Sequence, residues 1–387
     1  MKLKNGTLKM TLMLFCSTLF VACGDEKNVV SEIITPTCTL PSSCEENNVS
    51  PLPEEESQTD ESSTSEENTS PPETEPDVAP LVFSELVSFN GNLYASGPFK
   101  WNGAQWIPIL QNGEPETAII QMKVIGLELY FITKKSGIFK YDEIDDSAVP
   151  VGVGLEGKAI ADITFFENRL TVAVDKEGIF QYDDTSFQWT ETIPAPFGKE
   201  LLYSEIAEYS SDLYVGTREN PGEEPRAQGL LQYTSGAWIA LSPVSSGSAH
   251  TLPVGSADAI DALIATDIGL FVTAHDPSRL QSALFFEVHG RTMTKKPGPG
   301  DADVFTDIIV LDPDTLYVSA SNNHIWKQEF DGSWTQITLM RPYTNARAMA
   351  FHNFDLYVGA EEVTSQNTNF EFLMFQLTGS NWLSLDQ

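Results

Sequence analysis

A two-residue phrase recurs seven times after residue 80: a Leu followed by Tyr, Phe or Thr, opening a short apolar run just past a turn. It stands at Leu93-Tyr94, Leu129-Tyr130, Leu170-Thr171, Leu213-Tyr214, Leu270-Phe271, Leu316-Tyr317 and Leu356-Tyr357. Successive anchors are 36, 41, 43, 57, 46 and 40 residues apart. That is too long for one hairpin and suits one four-stranded sheet per repeat. The expected fold is all-β: a seven-bladed β-propeller of four-stranded blades over residues 81–387.

Each repeat divides into strands A to D, counted outward from the axis. The A strands are expected at 83–89, 119–125, 160–166, 203–209, 259–265, 305–311 and 346–351, and the B strands open at the Leu anchors. Turn-compatible residues separate them, as at Asn90-Gly91 and Ser210-Ser211-Asp212, which suit tight hairpins. Strand C shows in Gly137-Ile138-Phe139 and Gly178-Ile179-Phe180, and an aromatic marks strand D at Trp106, Trp189, Trp238, Trp334 and Trp382. Blades 2 and 5 lack that Trp and carry Val149 and Met293 near its place. The near-continuous apolar runs fit sheets buried on both faces, so the recurrent Leu, Tyr and Trp read as core. Blade 7 ends with its own D strand near Trp382, so no strand is obviously lent across the seam.

The aromatic-turn-Gly-Trp strand endings resemble those of bacterial repeat propellers of the kelch and two-component-regulator kinds. The resemblance covers about four-fifths of the chain and implies the fold. The double Gly of kelch repeats is missing, and Asp331-Gly332-Ser333-Trp334 matches only the end of a sialidase Asp-box. Neither family's activity carries over.

Residues 1–22 combine Lys2, Lys4 and Lys9 with an uncharged stretch rich in Leu, Met and Phe, the pattern of a secretory signal peptide. Phe20-Val21-Ala22-Cys23-Gly24 resembles the lipobox of bacterial lipoproteins. That resemblance implies that Cys23 carries acyl chains such as palmitate. Gly24 in place of Asp implies the outer membrane of a Gram-negative cell, on either side of it. Cys38 and Cys44 lie close together, and in an exported protein they read as a small disulfide loop. Residues 23–80 hold 15 acidic residues against one Lys, with few large apolar side chains to offset the entropy of ordering. They read as a disordered acidic tether reaching roughly 40 Å from the membrane.

The whole chain carries a net charge of −33, which disfavours nucleic acid and anionic lipid and favours cationic partners, Ca²⁺ or simple solubility. The A-to-B and C-to-D turns are short and share one face. Long insertions at 218–228, 242–257, 275–282, 295–303 and 361–369 fall on the other, which makes it the candidate binding face. Arg218, Arg226, His250, His275 and Arg279 lie in these loops.

Eight or nine residues before the anchors stand Glu85, Gln121, Asp162, Glu205, Asp261 and Asp307, with either Arg347 or Ala348 in blade 7. These converge on the channel mouth at the long-loop face. Two readings stand: acceptors for backbone N–H groups of adjacent A strands, or a seat for a cation or cationic ligand, with Ca²⁺ the fitting metal for oxygen donors. The five His residues are scattered, and there is no nucleophile elbow or phosphate loop. The expected function is a membrane-anchored, non-enzymatic binding or scaffold lipoprotein that presents a propeller face to a protein, peptide or glycan. The alternative is a propeller hydrolase or lyase acting on an extracellular carbohydrate or lactone through the channel-mouth carboxylates.

Overall fold

The structure is a computed structural model. It describes residues 85–385 except 98, 112–113, 116–118, 135, 199, 219–226, 242, 245–258, 276–282, 300–303, 313–314, 322–323, 340–343, 363–370 and 380. The signal peptide (1–22), the tether (23–80), Cys23, Cys38, Cys44, Arg226, His250 and Arg279 lie outside the described residues.

Seven antiparallel sheets follow one another along the chain, each with its first strand at one end and its fourth towards the other. Blade 1 is Leu86–Phe89, Asn92–Ala95, Phe99–Trp101 and Trp106–Pro108, and blade 7 is Thr344–His352, Asp355–Glu362, Glu371–Thr378 and Asn381–Ser384. The A strands of blades 2 to 6 are Ile119–Ile125, Ile160–Phe166, Leu202–Tyr209, Ala259–Ala265 and Phe305–Asp312. The expected seven-bladed propeller is therefore the observed fold.

The Leu-aromatic phrase has a mechanical reading. Successive residues of a strand point to opposite faces, and both faces of every blade are covered. Leu213 packs against blade 3 while Tyr214 packs against blade 5. Leu129 and Tyr130, Leu270 and Phe271, Leu316 and Tyr317 repeat the rule: Leu meets the preceding blade, the aromatic the following one. Seven apolar clusters result, one per blade interface, including the seam between blades 7 and 1. That seam is rich in alanine, with Ala95, Ala348 and Ala350 beside Leu86, Leu93, Tyr357 and Met374. His352 bridges it: its Nδ1 lies 3.1 Å from Ser88 Oγ, and its Nε2 accepts from Asn353 Nδ2 at 2.8 Å. Blades 1 and 7 are each built from consecutive strands, and among the described residues no strand is exchanged between them.

The D-strand Trp residues are more than core. Four of the five indole N–H groups reach the end of the preceding blade or the connection that leaves it: Trp189 donates to Val151 O at 2.6 Å, Trp238 to Pro194 O at 2.8 Å, Trp334 to Pro297 O at 2.9 Å and Trp382 to Thr338 O at 3.1 Å. Blades 2 and 5, which lack the Trp, gain a parallel outer strand from that same connection. Leu110–Gln111 lies beside Ser147–Pro150, and Pro243–Val244 beside Thr292–Lys295. Either device straps one blade to the next. The strap on blade 3 also needs Gly152, whose φ is +69° and whose Cβ would meet the Tyr182 ring at 2.5 Å.

Replacing Trp238 by Phe keeps the ring and deletes the N–H donor. Chemical denaturation of Trp238→Phe should show a loss of about 1 kcal/mol, the usual net value of one hydrogen bond. The isolated loss of Trp106 packing is a separate matter, because that residue sits in the seam cluster.

Candidate functional site

An innermost strand has a partner on one side only, so every second N–H of an A strand faces the axis with no strand to receive it. Three acidic side chains at the belt position, eight or nine residues before the Leu anchor, meet this need. Asp162 Oδ2 accepts the N–H of Ile206 at 2.9 Å. Glu205 Oε2 accepts that of Leu263 at 2.8 Å, and Asp307 Oδ2 that of Met349 at 2.7 Å. In each case the acceptor on one blade caps the A strand of the next. Asp162 and Asp307 also accept their own following N–H, from Ile163 and Ile308, each at 2.7 Å. The A strand is bulged at this point in blades 2 to 7, as the register slips between Ile160 and Asp162 and between Ile260 and Ala262 show.

The belt's remaining charge is met from within. Lys123, two residues beyond Gln121 on the same strand, places its ammonium 2.5 Å from Asp162 Oδ2 and 3.3 Å from Ile206 O. Burial alone would lower its pKa, yet Asp162, Glu205 and Glu85 together hold it above the ordinary lysine value. Burial, reinforced by Asp162, pushes the Glu205 carboxyl up to about 8. Burial also lifts Asp307 to about 6, against the pull of its N–H donors. Glu85 is raised well above the carboxylate range by burial and then by Asp307, Glu205 and Asp162, with Lys123 opposing. Residues from blades 1, 2, 3, 4 and 6 thus share one electrostatic environment at the axis. The Gln121 Oε1 is buried there without a hydrogen bond.

Two of the expected ring residues stand elsewhere. In blades 5 and 7 the belt position is Ala262 and Ala348. Asp261 and Arg347 occupy the bulge one residue earlier and turn to the ends of their own B strands. Asp261 Oδ1 lies 2.6 Å from His275 Nδ1, and Arg347 Nε donates to Glu361 Oε2 at 2.7 Å. Burial raises the Asp261 pKa, and His275 opposes it. In blade 3 Asp175 Oδ2 pairs with Arg218 of blade 4 at 2.6 Å while its Oδ1 accepts the Tyr203 N–H at 2.8 Å.

An outer rim therefore joins the inner belt. Asp175, Arg218, His275 and Glu361 each lie five residues past their Leu anchors, a column that alignment of the repeats on those anchors would have exposed. Lys123 was legible too, since residues two apart share a strand face. Among the described residues, no group of three or more His, Cys, Asp or Glu side chains is placed to hold a metal ion.

No family model matches the chain, and no curated protein matches it. Solved structures do resemble it. The extracellular domain assigned to the hybrid two component system BT3049 from B. thetaiotaomicron is 14% identical with a TM-score of 0.54, over 72% of this chain and 39% of that one. The extracellular domain assigned to the one component system BT4673 of the same organism gives 13%, 0.53, 72% and 37%. PorZ, a bacterial surface component of the type-IX secretion system of Porphyromonas gingivalis, gives 15%, 0.50, 72% and 45%. The chain thus spans less than half the length of each of these neighbours, and the likeness is one of fold.

The raised carboxyls set a pH dependence. Between the ordinary glutamate value of 4.5 and about 8, folded Glu205 holds a proton that the unfolded chain has released. Stability therefore falls as pH rises through that window. Glu205→Gln should flatten the decline in melting temperature between pH 5 and pH 8, and equal slopes for the two proteins would contradict the assignment.

Proposed function

We propose that the chain is a binding or scaffold propeller, anchored to the outer membrane through a lipid on Cys23, whose long-loop face receives a protein, peptide or glycan. One observation carries the reading. The insertions after Arg218, His275 and Glu362 spring from B strands whose ends are fixed by buried acids: Asp175 to Arg218, Asp261 to His275 and Glu361 to Arg347. Each acid is only 9% exposed. A long loop on a rigid root is the arrangement that recognition sites use. The neighbours named as extracellular domains and a surface component support an exported setting for such a module.

The inner belt argues against channel-mouth hydrolysis. Asp162, Glu205 and Asp307 are each engaged by a backbone N–H group of the next blade, which assigns them a structural task first. The hydrolase or lyase reading rests instead on the Asp261 and His275 pair at the rim.

Replacement of residues 276–282 and 363–370 by short Gly-Ser links tests the reading in the full chain. Ligands captured from the envelope fraction should be lost while the melting temperature stays within about 2 °C, since surface loops contribute little to stability. Retained capture would move recognition away from this face. Turnover of any carbohydrate or lactone that collapses in Asp261→Asn would instead favour the enzyme. Metabolic palmitate labelling that persists in Cys23→Ser would contradict the anchor.

A further inference from the structure

The opposite face, made of A-to-B and C-to-D turns, carries a signature that loop length conceals. Five large apolar side chains among the described residues are more than 60% exposed, from 65% to 101%: Leu127, Ile144, Phe187, Phe330 and Phe354. All five sit in these short turns, on blades 2, 3, 6 and 7.

Two of them are also conformationally costly. Asn353 and Phe354 form a two-residue hairpin turn with φ of 50° and 70°. Blade 1 makes the same turn with Asn90 and Gly91, at φ of 45° and 74°. Phe354 thus occupies the glycine position of that turn, and a bulky residue with positive φ is strained there. Phe187, at φ 56°, stands two residues before Trp189. Gly236 and Gly332, both at φ 80°, stand two residues before Trp238 and Trp334. The Phe354 ring is fully exposed and the Phe187 ring 65% exposed, so neither ring gains burial in return for its strained backbone.

We infer that this turn face is a docking surface for a basic amphipathic segment of another protein, its apolar side chains on Phe187, Phe354 and the neighbouring tips. The charge of the face selects the partner. Glu143, Asp145, Asp184 and Asp331 lie in the same turns. An open cleft of about 390 Å³ between the A-to-B turns of blades 4 and 5 is lined by Glu208, Tyr209, Ser210, Ala265, Thr266 and Asp267. Two carboxylates beside an aromatic ring suit a lysine or arginine side chain. A second copy, with its own net charge of −33, and an anionic bilayer would both be repelled by this surface.

The test uses the full chain on a biosensor surface with three 18-residue probes: a Leu/Lys amphipathic helix, a Ser/Lys peptide of equal charge and a Leu/Glu peptide. The Leu/Lys probe should bind at least about tenfold more tightly than either other, a difference typical of a few anchoring side chains. Phe187→Gly with Phe354→Gly should weaken it by a similar factor without lowering the melting temperature, because the strain is relieved. Glu208→Gln with Asp267→Asn should weaken it, whereas Glu156→Gln with Glu200→Gln on the long-loop face should not. Equal binding of the Ser/Lys peptide would overturn the inference, as would unchanged binding by the Phe variants. A fall of several degrees in their melting temperature, or self-association abolished by them, would also overturn it.

Discussion

A ring of blades leaves the innermost edge of every sheet without a neighbour, and the unpaired N–H groups on those edges must be satisfied near the axis. The chain answers with acceptors that reach across the blade boundary, from Asp162 to Ile206, Glu205 to Leu263 and Asp307 to Met349. The same bond that removes a buried, unmet donor also sets the spacing between adjacent blades. At the outer edge the indole N–H groups of Trp189, Trp238, Trp334 and Trp382 perform the matching task on the connections. Between these two belts the Leu-aromatic pairs fill the interfaces. The acidity of the belt follows from its role. Carboxylates are the strongest acceptors the chain has, and their crowding is offset by Lys123 and shows in the raised Glu205 carboxyl.

The fold was legible because its signal is written in residues whose burial is two-sided. A Leu beside a Tyr, repeated at one-blade intervals, has few structural solutions, and the anchors landed on the B strands as expected. The site was legible only in part. Counting back from an anchor assumes an unbroken strand, whereas the A strands are bulged, so a residue nine before the anchor can leave the belt. Asp261 and Arg347 moved to the rim for that reason, while Asp307 stayed because a second irregularity between Val310 and Asp312 restores the count. Lys123 shares a strand with Gln121 but pairs with Asp162 of the next blade, a contact that only the packing of neighbouring blades creates. The strap role of Trp, and the outer strands of blades 2 and 5 that replace it, depend on where a connection runs, which no local pattern encodes.

The two faces of the disc differ in kind. On one, insertions follow strand ends that are fixed by pairs with a buried acid. On the other, turns too short to vary carry exposed Phe, Leu and Ile tips amid carboxylates. The proposed functions divide between them, ligand recognition on the loop face and docking on the turn face. The neighbours of similar fold are longer chains, of which this one covers less than half.

The central claim is that belt carboxylates hold the inner edge of the following blade, and residue-resolved hydrogen exchange tests it most directly. In the native protein the amide of Ile206 should exchange slowly. In Asp162→Ala it should be released selectively, although it lies 44 residues away on another blade, while the amides of Leu263 and Met349 keep their protection. Unchanged protection at Ile206, or loss spread evenly over all blades, would contradict the account.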